Sequence, residues 1–348
     1  MAKNKTTQSP TLEPVFYSPE HLWLNEGFNT LKKSFDSDKL PHGLLMVAPS
    51  KSGKLLLATS IAQSIVCETS RSSAAQNVAS LNKACGHCKN CLLVNAHSHP
   101  DITIVDCLID NKGKLKKSIG IDQIRQLTDK LVETSQLSGW RIAIIRSVEK
   151  MTRGAFNAIL KTLEEPGDKT FILMLADSLH QVPATIKSRC QLLRLKLTQE
   201  VLLPWLSATL KCDETVALAS LKACHYAPFA TVSYIKEDSS TLFEQINLDL
   251  DRILQNTLTP NDFIAQHSDL DGQLWVHIAN YFQNAQLSIL KSKQGPYLKV
   301  PRSIASELYG KLLELNRAQS AGSNLQTNLQ LEAILIHWFE IGRKIVHY

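Results

Sequence analysis

Apolar residues in the first two hundred positions come in short, nearly unbroken runs separated by longer stretches of helical period. The runs are LLMVA (44–48), ITIVD (102–106), RIAIIR (141–146), FILMLA (171–176) and QLLRLKL (191–197). Each is close to continuously apolar rather than alternating, which fits strands covered on both faces. Helical patterns lie between them, notably over 54–67, 121–135 and 153–165. Strands alternating with helices imply a parallel α/β sheet with right-handed crossovers.

The pattern changes near residue 198. QEVLLPWLSATL, ETVALASLKACH and FATVSYIK are short amphipathic stretches with no strand among them. From about 240 the period stays helical, broken at TLTPND, KQGPYLKVPRS and QSAGSN, and the last helix, LQLEAILIHWFEIGRKIV, carries one strongly apolar face suited to a bundle. The expected organisation is a polar extension over 1–20, an α/β domain over 21–197, a small helical domain over 198–239 and a larger all-α domain over 240–348.

Composition changes this picture little. The 348 residues are 44% hydrophobic and 20% charged, as in an ordinary globular protein. The net charge of +6 permits contact with nucleic acid but does not demand it, because 38 cations and 32 anions are well mixed. No apolar run reaches the ~20 residues of a membrane span, and MAKNKTTQSPTLEP has no apolar core of a secretory signal. A cytoplasmic protein without membrane contact is expected.

Residues 48–58, APSKSGKLLLA, follow the first strand where a phosphate-binding loop would read G-x-x-x-x-G-K-[ST]. Gly53 and Lys54 keep the second half of that motif. Ala48 replaces the first glycine, and Leu55 replaces the hydroxyl that would ligate Mg²⁺, which an isobutyl group cannot do. The acids that would complete the metal site should follow IAII, where the chain has Arg146 and Ser147. A guanidinium there repels a divalent cation, and Glu149, in the turn beyond, is a poor substitute. The residual loop at Gly53 and Lys54 therefore supports weak ATP binding or none, and hydrolysis by this chain alone is not expected.

Eight cysteines are unevenly placed. Cys67, Cys85, Cys88 and Cys91 form a cluster with C-x-x-C-x-x-C spacing at its end, whereas Cys107, Cys190, Cys212 and Cys224 are scattered and read as small buried apolar residues. Four thiolates can close a tetrahedral structural Zn²⁺ site with no open position. An iron–sulfur cluster suits the same spacing, and His97 or His99 could stand in for Cys67. The lysines at 112, 114, 116 and 117 form a basic tract that reads as a solvated loop or as a sequence-blind contact with a nucleic-acid backbone.

RGAFNAILKTLEEPGDKTFILMLADSLHQVPATIKSRCQLLRL, with HGLLMVAPSKSGK before it and the four-cysteine insert between, resembles the delta-prime family of bacterial DNA polymerase III clamp-loader subunits. NLQLEAILIHW is similar to the last helix of that family. The resemblance implies an AAA+ P-loop-type α/β domain carrying a zinc module (67–91), a helical lid (198–239) and an all-α collar (240–348) that assembles into a five-membered ring. The implied partners are gamma/tau-type ATPase subunits, a delta-type subunit, the sliding clamp and, without sequence preference, primer–template DNA. It also implies that Arg189, between Ser188 and Cys190, is an arginine finger offered in trans to a neighbour's ATP. The competing reading of Arg189 is a local ion pair closing the sheet edge. The lid shows Ala227 and Pro228 where motor subunits carry a sensor arginine, and Asp177 stands where a polar sensor would meet the γ-phosphate. The expectation is a non-hydrolysing subunit; the alternatives are a self-sufficient AAA+ ATPase with an atypical metal site, and a free zinc-dependent DNA-binding protein.

Overall fold

The computed structural model describes residues 21–71, 81–109, 116, 118–236, 239–267, 274, 278, 281–282, 300–320 and 327–346. The expected extension over 1–20, the stretch 72–80 between the first two clustered cysteines, and Lys112, Lys114 and Lys117 of the basic tract lie outside the described residues, as do parts of the two last helix breaks. The chain divides into two compact units, Met1–Tyr234 and Ile235–Tyr348.

In the first unit the five apolar runs form one parallel sheet. Its strands are β1 (Gly43–Val47), β2 (Ile102–Val105), β3 (Arg141–Ile145), β4 (Thr170–Ala176) and β5 (Gln191–Arg194), in the order β2-β3-β4-β1-β5. Leu45 of β1 sits opposite Met174 on one side and Leu192 on the other. β4, in the middle, is buried along its whole length. The two edge strands correct the expectation of burial on both faces: each has a single neighbour, three of the four β5 residues are exposed, and in β2 only Val105 is buried. An edge strand needs less apolar cover, and Arg194 at the end of β5 takes the solvent.

The connecting helices are α1 (Leu22–Asp36), α2 (Lys54–Val66), α3 (Glu68–Arg71), α4 (Lys89–Asn95), α5 (Ile121–Val132), α6 (Arg153–Glu164) and α7 (Ala184–Lys187). Alternate strand residues point to opposite faces, and each face builds its own core. Met46, Ile144, Leu173 and Leu175 meet α1 and α2, whereas Leu45, Ala143, Ile172 and Met174 meet α5 and α6. α5 and α6 bury one stripe each, Ile124–Leu127–Leu131 and Ala155–Phe156–Ile159–Leu163. α2 is apolar almost all round because it is covered on all sides. The next three helices, α8 (Gln199–Leu210), α9 (Glu214–Ala223) and α10 (Pro228–Lys236), send Leu202, Leu206, Leu221 and Phe229 into the core that α1 and α2 share.

The second unit is helical: α11 (Ser239–Leu254), α12 (Pro260–Gln266), α13 (Arg302–Ser320) and α14 (Thr327–Val346). Trp338 of α14 is fully buried, with Phe282 edge-on at 4.8 Å and its indole N–H donating to the Leu250 carbonyl at 3.2 Å. Gly342 lets α14 approach the end of α11 closely, since a Cβ there would fall 1.9 Å from the Leu254 carbonyl oxygen. Among the scattered cysteines Cys107 is buried, while Cys190, Cys212 and Cys224 are only half-buried. No helix among the described residues is long and apolar enough to cross a membrane.

Candidate functional site

In a parallel sheet all strands end on one edge, and ligands of α/β proteins bind beyond those carboxyl ends. Here that edge gathers the 48–53 loop after β1, Asp106 after β2, Arg146 after β3 and Asp177 after β4. The loop's one retained cation is already engaged. Lys54 is buried, and its Nζ donates to the carbonyls of Ala48 at 2.9 Å and Pro49 at 3.2 Å and forms an ion pair with Asp177. The Asp177 carboxylate and the two carbonyls thus engage the Lys54 ammonium from three sides. Glu149, in the turn after β3, accepts from the Asp177 backbone N–H at 3.3 Å; burial pushes its carboxyl up, and the negative charge of Asp177 adds to the effect. Arg146 pairs with Asp106 at 3.0 Å, so the cation standing in for a metal-binding acid is neutralised locally.

The helix start is crowded as well. Gly53 has φ +90°, and a Cβ on it would meet the Phe229 ring at 3.0 Å and Trp23 Nε1 at 3.5 Å. Trp23 donates from its indole to the Ser52 carbonyl at 2.9 Å, and the Phe229 backbone N–H donates to the Lys51 carbonyl at 3.1 Å. Trp23 and Trp205 cross edge to face at 4.7 Å, with His21 and Phe229 in the same cluster. Aromatic side chains from α1 and α10 therefore lie against the 48–53 loop, with Trp205 of α8 packed on them.

Arg189 is elsewhere. It precedes β5, at the amino ends of the strands, about 15 Å along β1 from the phosphate loop. Its guanidinium is partly exposed and engages Glu164 at the end of α6 through Nε (2.7 Å) and Nη2. Its Nη1 donates to the Thr185 carbonyl at 3.0 Å and the Ser188 hydroxyl oxygen at 3.2 Å. The local ion pair considered from the sequence is present. Cys190 points the other way, toward Met174 Sδ at 3.8 Å, and burial raises its thiol to about 11. Ser braces, Arg faces outward and Cys anchors.

The structure brings Cys67, Cys85, Cys88 and Cys91 together, their sulfurs all within 4.8 Å of one another. Cys67 is the fourth member, so neither histidine is needed. His99 instead accepts from the Asp101 N–H at 3.2 Å. α4 begins immediately after Cys88, whose sulfur caps it by accepting the Cys91 N–H at 3.4 Å. Cys67 accepts from the N–H groups of Ser70 and Cys85, and Cys85 from that of Cys88. A hydrogen bond from Thr69 is the largest of the effects that lower the Cys85 thiol to about 5. Burial opposes ionisation of Cys67, yet hydrogen bonds from Thr69 and the two amides hold its thiol below the ordinary range, while burial drives Cys91 up. The set is compatible with one structural metal ion bound through sulfur.

Comparison with known proteins adds an independent line. The family model described as DNA polymerase III, delta subunit, matches residues 23–199. The DNA polymerase III subunit delta' of Haemophilus influenzae is 32% identical over 216 residues, 62% of this chain and 61% of that protein. The subunit delta' of Escherichia coli is 30% identical over 218 residues, with the same coverage of both chains. The match thus spans about three fifths of the length of these relatives. A DNA polymerase III gamma subunit-related protein from Thermotoga maritima aligns over 91% of this chain and 99% of its own, at 17% identity and a TM-score of 0.43.

Proposed function

The chain belongs to the DNA polymerase III delta-subunit family, and from that premise we propose that it is a non-hydrolysing subunit of the polymerase's clamp loader. It is similar to delta' subunits over about three fifths of its length, and the family match itself covers residues 23–199. In this reading the α/β part is an AAA+ module, α8 to α10 form its lid, and the second unit is the collar through which gamma/tau-type and delta-type subunits assemble in the cytoplasm. The assembled ring opens the sliding clamp and places it on primer–template DNA.

One observation carries this reading. The chain's own phosphate loop is filled by its own groups, Lys54 by Asp177 and the helix start by Trp23 and Phe229. Arg189, meanwhile, sits partly exposed at the opposite edge of the sheet. A guanidinium there is out of reach of its own loop and serves a neighbour, where charge developing on a γ-phosphoryl group needs a permanent planar cation. Such a finger is worth ~10³–10⁵ in rate.

The cysteine cluster is read as a structural Zn²⁺ site. Zinc–sulfur bonds of ~2.3 Å in a regular tetrahedron place the sulfurs ~3.8 Å apart; the Cys85–Cys91 and Cys67–Cys88 pairs are both at 3.9 Å. An iron–sulfur cluster puts several irons and sulfides between its thiolates and needs a wider frame. The ion's role would be to knit the module, with no chemistry on substrate.

The test is Arg189→Ala in a loader reconstituted with its partner subunits, clamp and primed DNA. The variant is expected to fold and assemble while DNA-stimulated ATPase falls; unchanged ATPase rejects the finger. Mg²⁺-dependent turnover by the isolated chain, abolished by Lys54→Ala, would instead establish the self-sufficient ATPase.

A further inference from the structure

Glu164 is the last residue of α6, where the helix dipole disfavours a carboxylate. A locally unfavourable charge in a buttressed position signals a role in tertiary structure. Its partner is Arg189, whose Nε and Nη2 both donate to Glu164 Oε1. Nη1 is held by the Thr185 carbonyl and the Ser188 hydroxyl. Of the guanidinium N–H groups, one on Nη2 is left without a partner among the described residues, and the side chain is 33% exposed. The approach of the two segments is built in at Gly43. A Cβ there would lie 2.9 Å from Leu163 Cδ2, 3.1 Å from Cys190 Sγ and 3.4 Å from the Arg189 carbonyl. The end of α6 and the Ser188–Cys190 segment therefore close over a glycine that leaves room for both.

We propose that Glu164 is the positioning residue of Arg189. It fixes the guanidinium in one rotamer, with a free Nη2 N–H turned outward for a neighbour's phosphate. This rests on reading Arg189 as a finger in trans. A long cationic side chain loses rotamer freedom when it docks on a developing charge; a carboxylate that holds it beforehand removes that loss from the chemical step. An interaction of this kind acts in the transition state and appears in kcat rather than KM. Glu164 is 48% exposed, so the effect is modest.

The experiment compares Glu164→Ala, Glu164→Gln and Arg189→Ala in the reconstituted loader with clamp and primed DNA. Glu164→Ala is expected to lower DNA-stimulated kcat about fivefold with KM for ATP unchanged. Glu164→Gln, which keeps an acceptor oxygen at the same place, is expected to recover most of the loss. If Arg189→Ala is impaired while Glu164→Ala matches the unmodified chain, the positioning role is overturned and the finger stands. If Arg189→Ala has no effect, the finger itself falls, and this inference with it. In the isolated full chain the Arg189 Nε–H resonance should be protected from exchange, and Glu164→Ala should remove that protection. Identical exchange in the two proteins overturns the cradle without any appeal to partners.

Discussion

Asp101 shows how much of the first unit's order rests on single polar groups. It lies in the turn before β2, 7% exposed, and accepts from the backbone N–H groups of Gln136 (2.6 Å), Leu137 (2.9 Å) and Ser138 (2.9 Å) and from the Ser138 hydroxyl (3.0 Å). Burial alone would raise its carboxyl, but these donors overcome that and hold it below the ordinary 3.8. Asp101→Ala takes the acceptor from the buried Ser138 N–H and hydroxyl and from the part-buried N–H groups of Gln136 and Leu137, and should cost ~2–3 kcal/mol in denaturant unfolding. Because the folded value is the lower one, the contribution is complete above the unfolded value and is lost as pH falls through the folded value. An Asp101→Ala penalty that stays constant from neutral pH down into acid would contradict that assignment. Lys54 and Asp177 act at the same scale: one carboxylate engages the lysine of the 48–54 loop in an intramolecular ion pair.

Among the elements, the cysteine module is the least self-sufficient. α4 is short, and the module's attachment to the larger helices runs through a few side chains. Asn90 donates to the Val66 carbonyl at 2.9 Å, Gln63 reaches the Cys91 carbonyl at 3.2 Å, and Lys32 reaches the Leu81 carbonyl at 2.8 Å. In the proposed zinc-bound state, cross-linking by the ion would supply what so small an apolar contribution does not. Metal analysis should return close to one zinc per chain with no visible absorption bands, and a strong chelator should lower the melting temperature; brown protein would move the site to iron–sulfur. Cys88→Ser removes both a ligand and the sulfur that caps α4, and should reproduce the chelator's effect.

At the scale of the whole molecule, the two units have separate cores, one pair on the faces of the sheet and one around Trp338. Each should unfold as its own cooperative transition. Trp338→Ala opens a large cavity in the second core and should cost ~3–5 kcal/mol there. In calorimetry that loss should move one transition and leave the other in place; a shift of both would show the units to be energetically coupled.

Periodicity alone located all five strands to within a few residues, and it identified α2, α5 and α6, because short apolar runs and helical spacing of apolar residues are local properties of the chain. One candidate cluster was legible too: four cysteines at that spacing suit one ion, and the structure brings their sulfurs together. β5 was read as covered on both faces because sheet position is invisible in a single run of residues. The partners of charged groups were equally out of reach. Lys54 and Asp177 are separated by 123 positions, and Glu164 and Arg189 by 25. Nor does anything in the pattern around Trp23 or Phe229 announce that these rings close on the phosphate loop. Local sequence determined which elements form and which residue types stand at each strand end; only tertiary structure decided what engages Lys54 and what holds Arg189, since both depend on distances set by how the strands order themselves in the sheet.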